Sequence, residues 1–97
     1  MLSLPQIAWA GDWRFCLAPA EADHKIYVTT PFPEQPATGD AEQEFRRSLS
    51  WSGLVYDVVQ CPRSDDETSA QAAQRQAIDY NRRLGNRVVT MNWKPGQ

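Results

Sequence analysis

The chain reads as a small α+β domain, with one mainly antiparallel β-sheet carrying two helices on one face in the order β-β-β-α-β-α-β. Three observations point there: a hairpin pattern near the start, an alanine-striped helix with its own cap near the end, and short strand-like runs between them. With 97 residues, folding buries about two-thirds of the surface an extended chain would expose. That supports one core and one domain over 1–97, without room for a second.

The elements follow in order. Gln6 to Leu17 forms two apolar-alternating runs around Gly11-Asp12, where glycine supplies the positive φ of a two-residue turn. Counting outward from that turn sets Ala10, Ala8 and Gln6 opposite Trp13, Phe15 and Leu17 on one face. Trp9 then faces Arg14, and Ile7 faces Cys16, on the other face, where Arg14 can lie over the Trp9 ring. After a polar connector, Lys25 to Thr30 is β-branched and aromatic and predicts a strand. Pro31, Pro33 and Pro36 end it and make 31–39 the loosest stretch.

Residues 40–52 support two patterns. As a helix, Asp40 caps the start with Gln43 answering it, Phe45 and Leu49 share a face, and Gly53 lies just past the end. As a hairpin, Ser48 to Trp51 alternates and Ser52-Gly53 turns. The helix is preferred because its cap, the first-turn acids Glu42 and Glu44, and the run that follows form one consistent unit. Leu54 to Gln60 is nearly continuous in apolar residues and predicts the central strand. A loop over 61–67 leads to a helix from Thr68, capped with Gln71, whose stripe is Ala70, Ala73, Ala77, Tyr80 and Leu84 and whose end is Gly85. Arg87 to Trp93 alternates as a last strand, and 94–97 is a frayed tail.

Composition limits the functional classes. Hydrophobic residues make up 41% and charged residues 23%, which excludes wholesale disorder. No apolar run approaches the roughly 18 residues that cross a bilayer, so no membrane is expected. The opening Met1 to Pro5 lacks the basic and apolar regions of a secretory signal, which predicts a cytoplasmic protein. Cys16 and Cys61 lie far apart, outside any zinc spacing, and are expected to be reduced thiols. The formal charge is −2, but it is unevenly spread. Up to Phe45 there are seven acids against two bases, and beyond it eight bases against five acids. Such a dipolar chain can orient a charged partner without being a dedicated nucleic-acid binder.

Candidate chemistry is sparse. His24 stands in a connector without a nucleophile or orienting partner beside it. Cys61, at the end of the expected central strand, gives a cysteine-dependent enzyme with His24 as one reading. Asp65-Asp66-Glu67 is explained by the positive end of the helix it precedes, and neither a metal nor a cofactor is expected. Phosphate loops, nucleophile elbows and paired carboxylates do not occur, so the chain is expected not to be an enzyme.

The surplus lies in indoles and guanidinium groups. Arg75, Asp79 and Arg83 form an ion-pair ladder at i, i+4, i+8, while Arg82, Arg83 and Arg87 favour the negative end of the helix dipole. Four tryptophans exceed the need of so small a core. Trp13 and Trp51 are expected inside, and Trp9 outside. Because Trp and Arg dominate interface hot spots, the expectation is a non-catalytic protein-binding module, an adaptor or inhibitor that occupies a partner's surface. Its contact residues are expected to be Trp9, Arg14, Arg75, Arg82, Arg83, Arg87 and Trp93. Small accessory proteins of phages and mobile elements, including inhibitors of bacterial defence complexes, share this profile as a class. Nucleic-acid binding through Arg75, Arg82, Arg83, Arg87 and Lys94 is the alternative. A homodimer through the hairpin edge Gln6 to Ala10 is a further possibility.

Overall fold

The computed structural model describes residues 12–34 and 40–96. Among the described residues six strands and two α-helices follow one another: β1 (Trp13–Arg14), β2 (Leu17–Ala20), a 3₁₀ turn at Glu21–Asp23, β3 (Lys25–Thr29), β4 (Phe32–Pro33), α1 (Ala41–Trp51), β5 (Arg63–Ser64), α2 (Glu67–Arg83) and β6 (Arg87–Met91). The α+β class and its two helices are as expected, and the element order matches the expected one roughly. The Gln6–Gly11 half of the expected hairpin and residues 35–39 of the 31–39 loop lie outside the described residues. Within them, both edges of β1 are taken, by β4 and by β5.

The strands divide between two three-stranded sheets rather than one: β4-β1-β5, all antiparallel, and β2-β3-β6, in which β3 runs antiparallel to β2 and parallel to β6. Side chains alternate across a sheet, and this sends the two helices to opposite faces of β2-β3-β6. Ile26, Val28, Leu17 and Val88 face Ala73, Ala77 and Ile78 of α2, with Phe15. Tyr27, Ala18, Ala20, Val89 and Met91 face Phe45 and Leu49 of α1. The sequence placed both helices on one face. The register of β3 against both neighbours divides them instead, because its apolar residues are consecutive and point both ways.

β3 is the central strand, with Ile26 to Thr29 all buried. The Leu54–Gln60 run, expected at the centre, is instead an irregular outer segment beside β2. Leu17 and Gln60 exchange backbone hydrogen bonds, and Asp57 N donates to Pro19 O. There the ladder stops, because Pro19 faces that edge and has no N–H to return. Val55 is left 70% exposed.

Both helices end alike. Gly53 and Gly85 sit at φ 76° and 90°, and the next residues reach back, Leu54 N to Leu49 O and Asn86 N to Asn81 O. A left-handed glycine that closes a helix in this way decides 40–52 for helix over hairpin. Asp40 caps α1 by accepting from Glu42 N and Gln43 N. At α2 the cap is Asp66, accepting from Ser69 N at 2.8 Å, so the helix starts before the expected Thr68.

Cys16 and Cys61 are joined by a disulfide buried in the α1-side core. The expectation of reduced thiols is thereby corrected. β2 and the returning segment at Gln60 bring the two residues together, a contact between positions 45 apart that spacing alone does not display. Cys61 consequently has no thiolate to serve as the nucleophile of a cysteine-dependent enzyme with His24. His24 is an exposed left-handed residue at φ 53°, whose carbonyl accepts from Arg87 N.

Candidate functional site

α1 has two unlike faces. Ala41, Phe45 and Leu49 are buried at helical spacing. Trp51 lies 200° around the helix from Leu49 at 100° per residue, and it is 93% exposed. The expectation that Trp51 belongs to the core is corrected by this geometry, which was available from the spacing of Phe45 and Leu49. Trp13, expected beside it in the core, is half-buried in β1.

The chain leaving β6 crosses α1. Trp93 packs on Phe45 with ring centroids 4.9 Å apart and meets Phe32 edge-on at 5.9 Å. Pro95 is buried, and Gly96 N donates to Glu44 Oε1 at 3.1 Å. Between this crossing segment and the outer face of α1 lies a groove of about 460 Å³, lined by Glu44, Arg47, Ser48, Trp51, Trp93 and Lys94. Trp93 thus has one side in the core and another in the groove, while Trp51 stands at its rim with little of the ring covered.

The charges of α1 divide in the same way. Glu42 Oε2 accepts from Cys61 N at 3.2 Å, and Glu44 is held by Gly96. Both acids are used to tie other segments to the helix. Arg46 and Arg47 are exposed and make no ion pair among the described residues. The outer face of α1 is therefore cationic where it is open and carries an unburied indole.

No protein-family model, curated protein or solved structure matches this chain.

The residues expected to grip a partner are not brought into one patch. Trp9 lies outside the described residues. Arg14 is turned inward, with 14% of its side chain exposed, and bonds Cys61 O and Glu34. Arg75 lies on the outer face of α2, where a second shallow groove of about 420 Å³ runs along Gln71, Ala72, Arg75 and Asp79. The expected Arg75–Asp79–Arg83 ladder forms no ion pair. Arg82, Arg83 and Arg87 bracket the turn at Gly85, with Lys25 in register with Arg87. Trp93 is six residues from Arg87, about 20 Å along an extended strand. Among the described residues of the expected set only Trp93 belongs to the groove. Sequence reasoning missed Arg47 and Trp51 as members of one surface because it asked which residues were surplus rather than which face of α1 its core residues leave free.

Proposed function

We propose that this chain is a non-catalytic protein-binding module, a small adaptor or inhibitor that acts by seating a partner's surface on α1 and the Trp93–Gly96 segment. The observation that carries the reading is Trp51. A tryptophan 93% exposed at the rim of a groove leaves in water an area that a monomer gains by covering, and indoles are enriched where partners bind. Trp93 supports it from below, since its contacts with Phe45 and Phe32 hold the groove floor rigid and reduce the ordering entropy a partner must overcome.

The compartment forms part of the reading. Among the described residues no helix is long and apolar enough to cross a membrane. The cytoplasm expected from the sequence keeps thiols reduced, whereas a structural disulfide persists in oxidising surroundings. The Cys16–Cys61 bond favours a partner met in an oxidising compartment over one met in the cytoplasm.

Site-specific photo-crosslinking in an extract of the source cell tests the reading. A photoreactive residue at position 51 is expected to trap a discrete protein that the same residue at position 72, on the outer face of α2, does not. Equal or absent trapping at both positions removes the proposal.

Nucleic-acid binding rests on a different place, the exposed Arg82, Arg83 and Arg87 with Lys25 beside them. It predicts duplex affinity that falls steeply with salt and is lost when these four residues are neutralised. Arg75 and Lys94, expected to share that surface, lie on α2's outer face and at the α1 groove.

A further inference from the structure

The groove has a charge preference as well as an apolar one. We infer that its occupant is an acidic segment of a partner protein that places an aliphatic or aromatic side chain between Trp51 and Trp93 and a carboxylate against Arg47. The inference rests on the protein-binding reading above and names the chemistry of the partner.

Two observations carry it. Of the acids of α1 only Glu44 lines the groove, with one oxygen taken by Gly96 N, while Glu42 is tied to Cys61 N, so Arg47 and Lys94 outnumber the one carboxylate there. Arg47, which lines the groove, is exposed and makes no ion pair among the described residues, whereas Arg46 lies 200° around the helix from Glu44 and Ser48 and faces away from it. A guanidinium that lacks an internal partner presents its full fork of donors, which matches a carboxylate in two parallel hydrogen bonds.

The groove's dimensions favour a peptide over a nucleic acid. Glu44 to Trp51 spans seven residues of helix, about 10 Å at 1.5 Å per residue. A volume near 460 Å³ takes one or two side chains. A single strand is instead held by aromatic platforms repeated along a charged track. Here the two indoles differ, one packed on Phe45 and the other standing free, which suits one anchor side chain and one lid.

Selection from a displayed library of random dodecapeptides on the immobilised, oxidised full chain tests the inference. Enrichment of sequences pairing Asp or Glu with Leu, Ile, Phe or Trp is expected. It should be lost with Trp51→Ala and redirected toward Lys and Arg with Arg47→Glu. Both variants change exposed residues, and their circular dichroism should match that of the parent. Enrichment that needs Trp51 but shows no acidic bias, or that ignores the charge reversal, overturns the acidic partner and leaves the docking reading standing. Absence of any Trp51-dependent enrichment overturns both. Quenching of tryptophan emission by dodecathymidylate at 150 mM salt, lost with Trp51→Ala, assigns the groove to nucleic acid instead. Dimerisation lost with Trp51→Ala assigns it to a second copy. Either result overturns the inference.

Discussion

Arg14 clamps the carbonyl oxygen of Cys61, donating from Nε at 2.9 Å and from Nη2 at 2.8 Å. Its remaining terminal nitrogen reaches Glu34 at 3.4 Å, and Arg63 approaches the same carboxylate oxygen at 3.8 Å. One guanidinium thus joins β1, the residue after β4 and the disulfide-bearing segment. Arg14 is a structural cross-link, where sequence had assigned it to a partner.

Replacing Arg14 with Ala should therefore cost stability. Two hydrogen bonds to a charged donor are lost and a poorly hydrated carbonyl is left behind, which together predict about 2–3 kcal/mol. Arg14→Lys should recover only part of that, because one ammonium cannot reproduce two bonds from a planar fork. Urea unfolding midpoints measure both. Equal stability of Arg14→Ala and the parent would contradict the clamp.

The Cys16–Cys61 bond closes a long loop through β2, β3, β4 and α1, with 45 residues separating its ends. By the chain-entropy relation such a cross-link disfavours the unfolded state by about 4 kcal/mol. Small domains have only about 5–15 kcal/mol in total, so Cys16→Ala/Cys61→Ala should leave a marginal fold. Guanidinium unfolding of the variant, and of the parent with and without reductant, should show the reduced parent close to the variant. Indifference of the parent to reductant would show that the bond contributes little.

How much of this could be read from the chain depends on the range of the interaction. Local devices were legible: the Asp40 cap, the glycines at 53 and 85, the strand at Lys25–Thr29 and the alanines of the α2 stripe each follow from residues a few positions apart, although Tyr80 and Leu84 of that stripe are exposed and Ile78 packs in their stead. Leu54–Gln60 misled because an apolar run records burial potential without its partner, and the partner edge carries Pro19. The disulfide and the Arg14 clamp join positions more than forty residues apart, and no local pattern announces them. Trp51 was misread in spite of a local signal, since Phe45 and Leu49 already define the opposite face.

Asp66 makes α2 sensitive to acid. Hydrogen bonds from the backbone N–H and then the hydroxyl of Ser69 hold its carboxyl below the ordinary value of 3.8. A carboxylate with a depressed folded pKa contributes stability that is fully present above its unfolded pKa and is lost as pH falls through the folded one. Asp66→Asn keeps a capping oxygen but does not titrate. The stability difference between parent and variant should be constant from pH 7 to 5 and shrink or reverse between pH 4 and 2. Urea midpoints across that range check it, and the comparison cancels the other carboxylates. A difference that does not vary with pH would rule out a coupling between Asp66 ionisation and folding.

The two tryptophans of the groove should separate folding from binding. Trp51 touches little of its own protein, so Trp51→Ala should leave stability within about 0.5 kcal/mol of the parent. Trp93 packs on Phe45 and Phe32, and its truncation removes ring contacts and opens a void beside α1. For a half-buried ring that predicts a cost of about 2–4 kcal/mol. Ligand capture should be lost in both variants, but only Trp51→Ala should lose it with the melting temperature unchanged. Thermal unfolding followed by circular dichroism, run beside the peptide selection, distinguishes them. If Trp51→Ala lowered the melting temperature as far as Trp93→Ala, the indole would be holding the fold together and would no longer mark a surface kept open for a partner.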